Sequence, residues 1–270
     1  MRYMNYGESS AVTFSKGIRE AFKGAFDLIL PYRCMICGNV SDSEDRFGNY
    51  STSYQTLYGE RPGLHICGKC LSDLCANEEE WRWFLCLSNP VENDPCPGLA
   101  LYMPFPYEGI VEKAVPGIKF GRKKEIARLF GFILGSYFRE DEIRADLIVP
   151  VPLSEERLEE RGFNQAAEMA YPVAKLNDIP FAEDCLLKTK NTGRQSEIRD
   201  TVIRAGNVAG AFAVSGRWDV TGLTVAVVDD VATTGATLHE AAKALYEAGA
   251  GKVLCIAFAG NRKTKNAEPY

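Results

Sequence analysis

The chain has 270 residues, 46% of them hydrophobic and 25% charged, with a formal net charge of −5. That balance suits a globular protein with one core of roughly 150–200 residues and a smaller module, and a negative total gives no global field for nucleic acid, so such a contact would need a local patch. No apolar run reaches the roughly 18–20 residues that span a bilayer, and an N-terminal stretch carrying Glu8 and Glu20 does not read as a secretory leader, so a cytoplasmic protein is expected.

Taken in order, residues 1 to 13 are polar. From Phe14 to Leu30 the apolar residues Phe14, Ile18, Phe22, Phe26 and Ile29 recur every three or four positions, an amphipathic helix that stops at Pro31. Its other face mixes Lys16, Arg19 and Lys23 with Glu20 and Asp27, so the stripe is expected to pack on the protein and not on lipid.

Nine cysteines is many for this length, and most fall early. Cys34-Met-Ile-Cys37 and Cys67-Gly-Lys-Cys70 each offer two thiolates across a two-residue spacer, and two such pairs close a tetrahedral Zn²⁺. Four cysteines leave no open position, so the metal is expected to be structural. The polar stretch from Ser41 to Gly63 reads as an irregular excursion between the pairs, and His65, Cys75, Cys86 and Cys96 stand as substitute ligands.

Residues 98 to 108 read as a strand with proline-rich ends. Lys113, Lys119, Arg122, Lys123, Lys124 and Arg128 form a dense basic stretch, ordinarily a solvated helix face and alternatively a surface that attracts polyanions, and a helix is expected from Lys124 to Phe138. Asp146-Leu-Ile-Val-Pro-Val-Pro152-Leu is a strand that proline must terminate. Arg157 and Arg161-Gly-Phe-Asn-Gln165 follow, then a helix from Gln165 to about Leu176. Leu186 to Arg204, with Lys188, Lys190, Arg194 and Arg199 around Gly193, reads as a cationic flap. Phe120 and Phe163, aromatic residues near cations, are candidates for stacking on bases.

The stretch from Leu223 to Leu238 carries the strongest chemical signal. An apolar, β-branched run fit for a strand buried on both faces stops at Asp229-Asp230. Val231-Ala232-Thr233-Thr234-Gly235-Ala236-Thr237 follows and leads into a helix. A helix start presents unbonded backbone N–H groups and the positive end of the dipole to an anion. The threonine hydroxyls add donors, and the two carboxylates suit ribose hydroxyls or a hydrated Mg²⁺. A phosphate below and a diol above describe a sugar phosphate. No Gly-Lys-Ser/Thr follows, which excludes a Walker-type loop. Alternating strands and helices, ending in Gly249 to Ala259, predict an α/β fold: a parallel sheet with helices on both faces.

This segment closely resembles the phosphoribosyl-pyrophosphate (PRPP) motif of type I phosphoribosyltransferases. Together with both Cys-x-x-Cys pairs, Ile118-Lys119-Phe120, Val149-Pro150-Val151-Pro152-Leu153, Arg161-Gly-Phe-Asn-Gln165 and Arg204-Ala-Gly-Asn207, it makes the chain similar to the ComF family, phosphoribosyltransferase-like proteins linked to DNA uptake in competent bacteria. The resemblance implies a tail and helix over 1–33, a four-cysteine zinc module over 34–97 with ligands Cys34, Cys37, Cys67 and Cys70, and a phosphoribosyltransferase-like domain over 98–270. It further implies PRPP held with Mg²⁺ by Val231, Ala232, Thr233, Thr234, Gly235, Ala236 and Thr237, and pyrophosphate held by Pro152, Arg157 and Arg161. Asp229, Asp230, Lys188 and Arg194 would serve transfer of ribose 5-phosphate to an acceptor. Purine-salvage relatives carry an acid where Thr233 stands, which disfavours a hypoxanthine-type activity. The alternative is a binding protein that senses PRPP or a nucleotide, or holds single-stranded DNA and helicase-type competence proteins without turnover.

Overall fold

A computed structural model describes residues 33–40, 66–75, 83–87, 99–121, 123–189 and 210–260. The elements in chain order are α1 (Gly68–Cys75), β1 (Trp83–Leu87), β2 (Leu99–Met103), β3 (Phe105–Pro106), α2 (Gly109–Lys119), α3 (Lys124–Glu140), β4 (Leu147–Pro150), α4 (Glu155–Arg161), α5 (Gln165–Leu176), β5 (Leu186–Lys188), β6 (Phe212–Val214), β7 (Thr224–Ala232), α6 (Ala236–Glu247) and β8 (Lys252–Gly260). The main sheet runs β1-β2-β8-β7-β4, with β3 continuing along β8. Its β2, β8, β7 and β4 pair in parallel, and β1 adds antiparallel to β2. β5 and β6 form a separate antiparallel pair.

The period of two along the strands divides the core. Val225 and Val227 of β7 face one cluster, filled by Leu238, Ala241, Ala242 and Leu245 of α6. Ala226 and Val228 face the other, where Phe130, Phe138, Met169 and Val173 of α3 and α5 pack with Phe258 of β8. This is the expected parallel sheet with helices on both faces. The helix over Gln165–Leu176 falls where the sequence places it, started by Asn164, whose side chain accepts from the Ala166 N–H at 3.0 Å. The 98–108 stretch is two short strands, and the helix expected to end at Phe138 runs on to Glu140.

Helix α2 is masked in the sequence pattern by Pro116 in its interior. Ile110, Val111, Ala114, Val115 and Ile118 bury its inner face all the same, and burial of such a stripe outweighs one lost backbone hydrogen bond. Ile66, Cys70 and Leu74 belong to the same cluster, so the cysteine-bearing segment packs on α2. Among the described residues no helix is long and apolar enough to cross a membrane. The stripe from Phe14 to Leu30, the Ser41 to Gly63 insert, His65, Cys96 and the flap from Lys190 to Arg204 lie outside the described residues.

Candidate functional site

The C-terminal ends of parallel strands are where an open α/β sheet builds its ligand site. Here β7 carries Asp229 and Asp230 near that end, both partly buried. Each carboxylate is held by the backbone: Asp229 Oδ1 accepts from the Asp230 N–H and Asp230 Oδ1 from the Val231 N–H, both at 2.8 Å. The second oxygen of Asp230, Oδ2, lies 3.1 Å from the Lys119 ammonium at the end of α2. Burial first, and the neighbouring Asp230 charge next, push the Asp229 carboxyl up to about 7, and Lys119 opposes them.

After β7 the chain turns at Gly235, whose φ of 76° lies in the left-handed region that favours glycine. Gly235 is the N-cap of α6 and supplies no side-chain cap, so this helix start keeps its capacity for an anion. Val231 and Ala232 complete the strand, Ala232 buried, while Thr233, Thr234, Ala236 and Thr237 are exposed around the turn. Thr234 Oγ1 accepts from the Ala236 N–H at 3.4 Å. The acid pair and the threonine loop expected from sequence are therefore one continuous surface.

Two further sequence candidates, Lys188 and Arg157, are linked to the acids through the electrostatics of Lys188. The Lys188 ammonium, at the end of β5, is held below its usual pKa range by burial first and by Arg157 next, with Asp229 opposing. Its Nζ sits 5.8 Å from the centre of the Phe212 ring. Lys188, Arg157 and Asp229 thus share one electrostatic neighbourhood although they come from three separate segments. Arg194 lies outside the described residues.

Arg161 behaves differently from Arg157. Its Nη1 donates to Gln165 Oε1 at 2.8 Å, while Gln165 Nε2 donates to the Phe163 carbonyl at 3.3 Å. Asn164 Nδ2 donates to the Val151 carbonyl at 3.0 Å. Gln165 is only 2% exposed. The Arg-Gly-Phe-Asn-Gln run is therefore a polar lock that ties the start of α5 to the loop after β4, where Val151 and Pro152 follow the strand. Its work is to fix that loop beside β7, and among the described residues the buried Nε of Arg161 has no hydrogen-bond partner. Phe163, Pro152, Leu158 and Tyr171 line a cleft of about 500 Å³ beyond this lock.

The residue that sequence reasoning missed is Lys119. The sequence pattern groups it with the basic stretch up to Arg128 as a solvated helix face, whereas it reaches Asp230. Phe120 beside it is 73% exposed.

Near α2, Cys34, Cys37, Cys67 and Cys70 bring four sulfurs within 4.8 Å of one another. Cys37 Sγ and Cys67 Sγ are 3.8 Å apart, close to the separation of roughly 3.8 Å set by a tetrahedral site with metal–sulfur bonds of ~2.3 Å. The first pair is shaped by a turn in which the Cys34 N–H donates to Asn39 O and the Gly38 N–H to Cys34 O, and the second sits at the start of α1. Burial raises the Cys34 thiol, but backbone N–H groups of Cys37, Cys67 and Ile36 outweigh it and bring it down to about 7. Burial and the three neighbouring cysteines push Cys70 up. Four crowded sulfurs that resist sharing negative charge are what a soft divalent cation resolves, so the donor set fits a four-thiolate metal site.

The raised Asp229 carboxyl has a consequence for stability. The folded state binds its proton more tightly than the unfolded chain, so stability is lost as pH rises from the ordinary carboxylate range to about 7. Asp229→Asn removes that cost. It is expected to raise the melting temperature of ligand-free protein by roughly 3–8 °C at pH 8 and by less than about half of that at pH 5. Equal shifts at both values, measured by scanning calorimetry, would contradict the assignment.

The phosphoribosyl transferase domain family matches residues 122–270. The chain is 28% identical over 210 residues to the competence protein ComFC of Bacillus subtilis (strain 168), an overlap of 68% of this chain and 73% of that protein. It is 27% identical over 189 residues to competence protein F of Haemophilus influenzae, covering 69% and 75%. With the DNA utilization protein YhgH of Escherichia coli (strain K12) it shares 31% identity over 173 residues, covering 59% and 74%.

Proposed function

The chain belongs to the phosphoribosyltransferase family, as a ComF-type member, and from that premise we propose that it binds PRPP with Mg²⁺ at the end of β7 and transfers ribose 5-phosphate to an acceptor. The observation that carries this reading is the continuity of the acid pair Asp229 and Asp230 with the Gly235 helix start, with Lys188 in the electrostatic field of both Asp229 and Arg157. The 5′-phosphate suits the start of α6, where Thr233, Thr234 and Thr237 add hydroxyl donors. The carboxylates of Asp229 and Asp230 suit the ribose hydroxyls. The loop at Pro152, fixed by Asn164, with Arg157 and Lys188 suits the pyrophosphate, and Arg161 reaches that loop only as far as its bond to Gln165 allows.

Departure of pyrophosphate leaves positive charge on the sugar. The chain contributes orientation and cations aimed at the leaving group, which lowers the barrier without a covalent intermediate. The Mg²⁺ carried with PRPP supplies further neutralisation of the pyrophosphate. No side chain at Thr233 takes a proton from an acceptor, which keeps hypoxanthine-type acceptors out of the proposal. The four-thiolate site suits a structural Zn²⁺. The competence and DNA-utilization names of the relatives support a role in DNA uptake; a cytoplasmic location and single-stranded DNA or helicase-type competence proteins as partners are part of the proposal and not of those names.

The second reading is a binding protein without turnover. Incubating the protein with PRPP, Mg²⁺ and a panel of acceptors, and measuring pyrophosphate, separates the two. The enzyme reading predicts acceptor-dependent release that is lost in Lys188→Ala. Saturable PRPP binding with no release for any acceptor would contradict turnover and leave the sensing role, in which a labelled single strand should bind with steep salt dependence.

A further inference from the structure

The site described so far takes its cations from the segments after β4 and at the end of β5. Lys119 arrives from a different element, as the last residue of α2, and places its ammonium 3.1 Å from Asp230 Oδ2. Its backbone is anchored by burial and hydrogen bonds. Ile118 and Val115 beside it are 1% and 2% exposed, the Phe120 N–H donates to Pro116 O at 2.8 Å, and the Gly121 and Lys123 N–H groups both donate to Gly117 O. The cluster that holds Ile118 also holds Ile66, Cys70 and Leu74. The four-carbon stem has its own torsions, and the Lys119 side chain keeps about a quarter of its surface open while that of Asp230 keeps about an eighth.

An ammonium in that setting has three donors, and the carboxylate fills only part of them. A sugar phosphate that engages Asp230 through hydroxyls, or through a bound divalent cation, takes over the carboxylate that now balances Lys119. The half-buried ammonium then needs another anion, because an unpaired charge in that position is costly. A sugar phosphate carries such anions itself.

We infer that Lys119 is a further binding cation of this site, which exchanges its contact with Asp230 for a ligand phosphate when the ligand engages that carboxylate. The inference rests on the sugar-phosphate reading of the site. It assigns α2 a part in ligand binding and makes the cysteine-bearing segment, packed on the same helix, the brace that sets where Lys119 starts. It differs from a purely balancing role in sign. A lysine that only neutralises Asp230 competes with the ligand, so removing it tightens binding. A lysine that moves to the phosphate contributes to the complex, so removing it weakens binding.

The test is isothermal calorimetry of the full chain with PRPP and Mg²⁺, on the native protein, Lys119→Met and Lys119→Arg, with the ligand-free melting temperature of each as the control for folding. The expected result is a loss of affinity of roughly 10- to 100-fold in Lys119→Met, set by one charge-assisted hydrogen bond. Lys119→Arg, which keeps the charge, should recover most of it, and both variants should melt within a few degrees of the native protein. Unchanged or tighter binding in Lys119→Met would overturn the inference and leave Lys119 as a counter-charge. Equal losses in both variants with a lowered melting temperature would overturn it in favour of a role in packing. Failure of the native protein to bind PRPP would overturn the sugar-phosphate reading itself, and the assignment of Lys119 with it, so the two failures are distinguishable.

Discussion

Replacing Cys34 by serine should remove the metal and lower the melting temperature by roughly 10 °C. The expectation follows from where the sulfurs sit. Cys34 and Cys70 are 2% and 3% exposed and belong to the core cluster that contains Ala114, Val115 and Ile118 of α2. The four sulfurs lie within 4.8 Å of one another, and burial first, then the neighbouring cysteines, disfavour the thiolate of Cys70 when no cation is there to take its charge. With three ligands left, the ion loses the closed tetrahedron that makes such a site structural, and metal-binding energy in sites of this kind is folding energy. Elemental analysis of anaerobically purified protein should find about one zinc per chain in the native protein and close to none in Cys34→Ser. Metal-free native protein with an unaltered melting temperature would contradict the structural role.

How much of this is legible in the sequence differs from element to element. The central strand β7 and its acids can be read directly, because a β-branched run buried on both faces ends at a polar pair and a small-residue loop, and each of those signals is local. The helix over Gln165–Leu176 is equally readable, since its Asn164 cap sits immediately before the apolar period. The two Cys-x-x-Cys pairs announce a shared site, and the fold brings them together. Lys119 is not legible. Its contact with Asp230 joins residues far apart in the chain, and nothing in the run from Lys119 to Arg128 separates a lysine that turns inward from lysines that face water. Pro116 obscures the helix that delivers it, because the local penalty of an interior proline is visible in sequence while the burial of Val111, Val115 and Ile118 that offsets it is not. Arg161 reads as a pyrophosphate ligand on its charge and place. The structure adds a buried partner, Gln165, four residues on and across a helix break, which ties the guanidinium to the frame of the loop.

The central claim is that Asp229 to Thr237 is a PRPP site, and its largest expected effect is on ligand-induced stabilisation. A ligand that binds only the folded state at about 100 times its dissociation constant adds about 2.7 kcal/mol, which for a chain of this size is a rise of roughly 5–10 °C in melting temperature. The shift should require PRPP and Mg²⁺ together. The double variant Asp229→Asn with Asp230→Asn keeps the shape of the strand end and removes both charges. It thereby removes the groups that would engage the ribose hydroxyls and the divalent ion, and it leaves Lys119 without its partner. In the ligand-free state the variant should fold, with Asp229→Asn relieving a buried charge. The direct measurement is therefore the melting temperature of native protein and double variant, each with and without PRPP and Mg²⁺ at pH 8. The account predicts a rise of at least about 5 °C for the native protein and about 1 °C or less for the variant. A rise of the same size in both would mean that PRPP binds elsewhere and that Asp229 and Asp230 serve only to cap the end of β7.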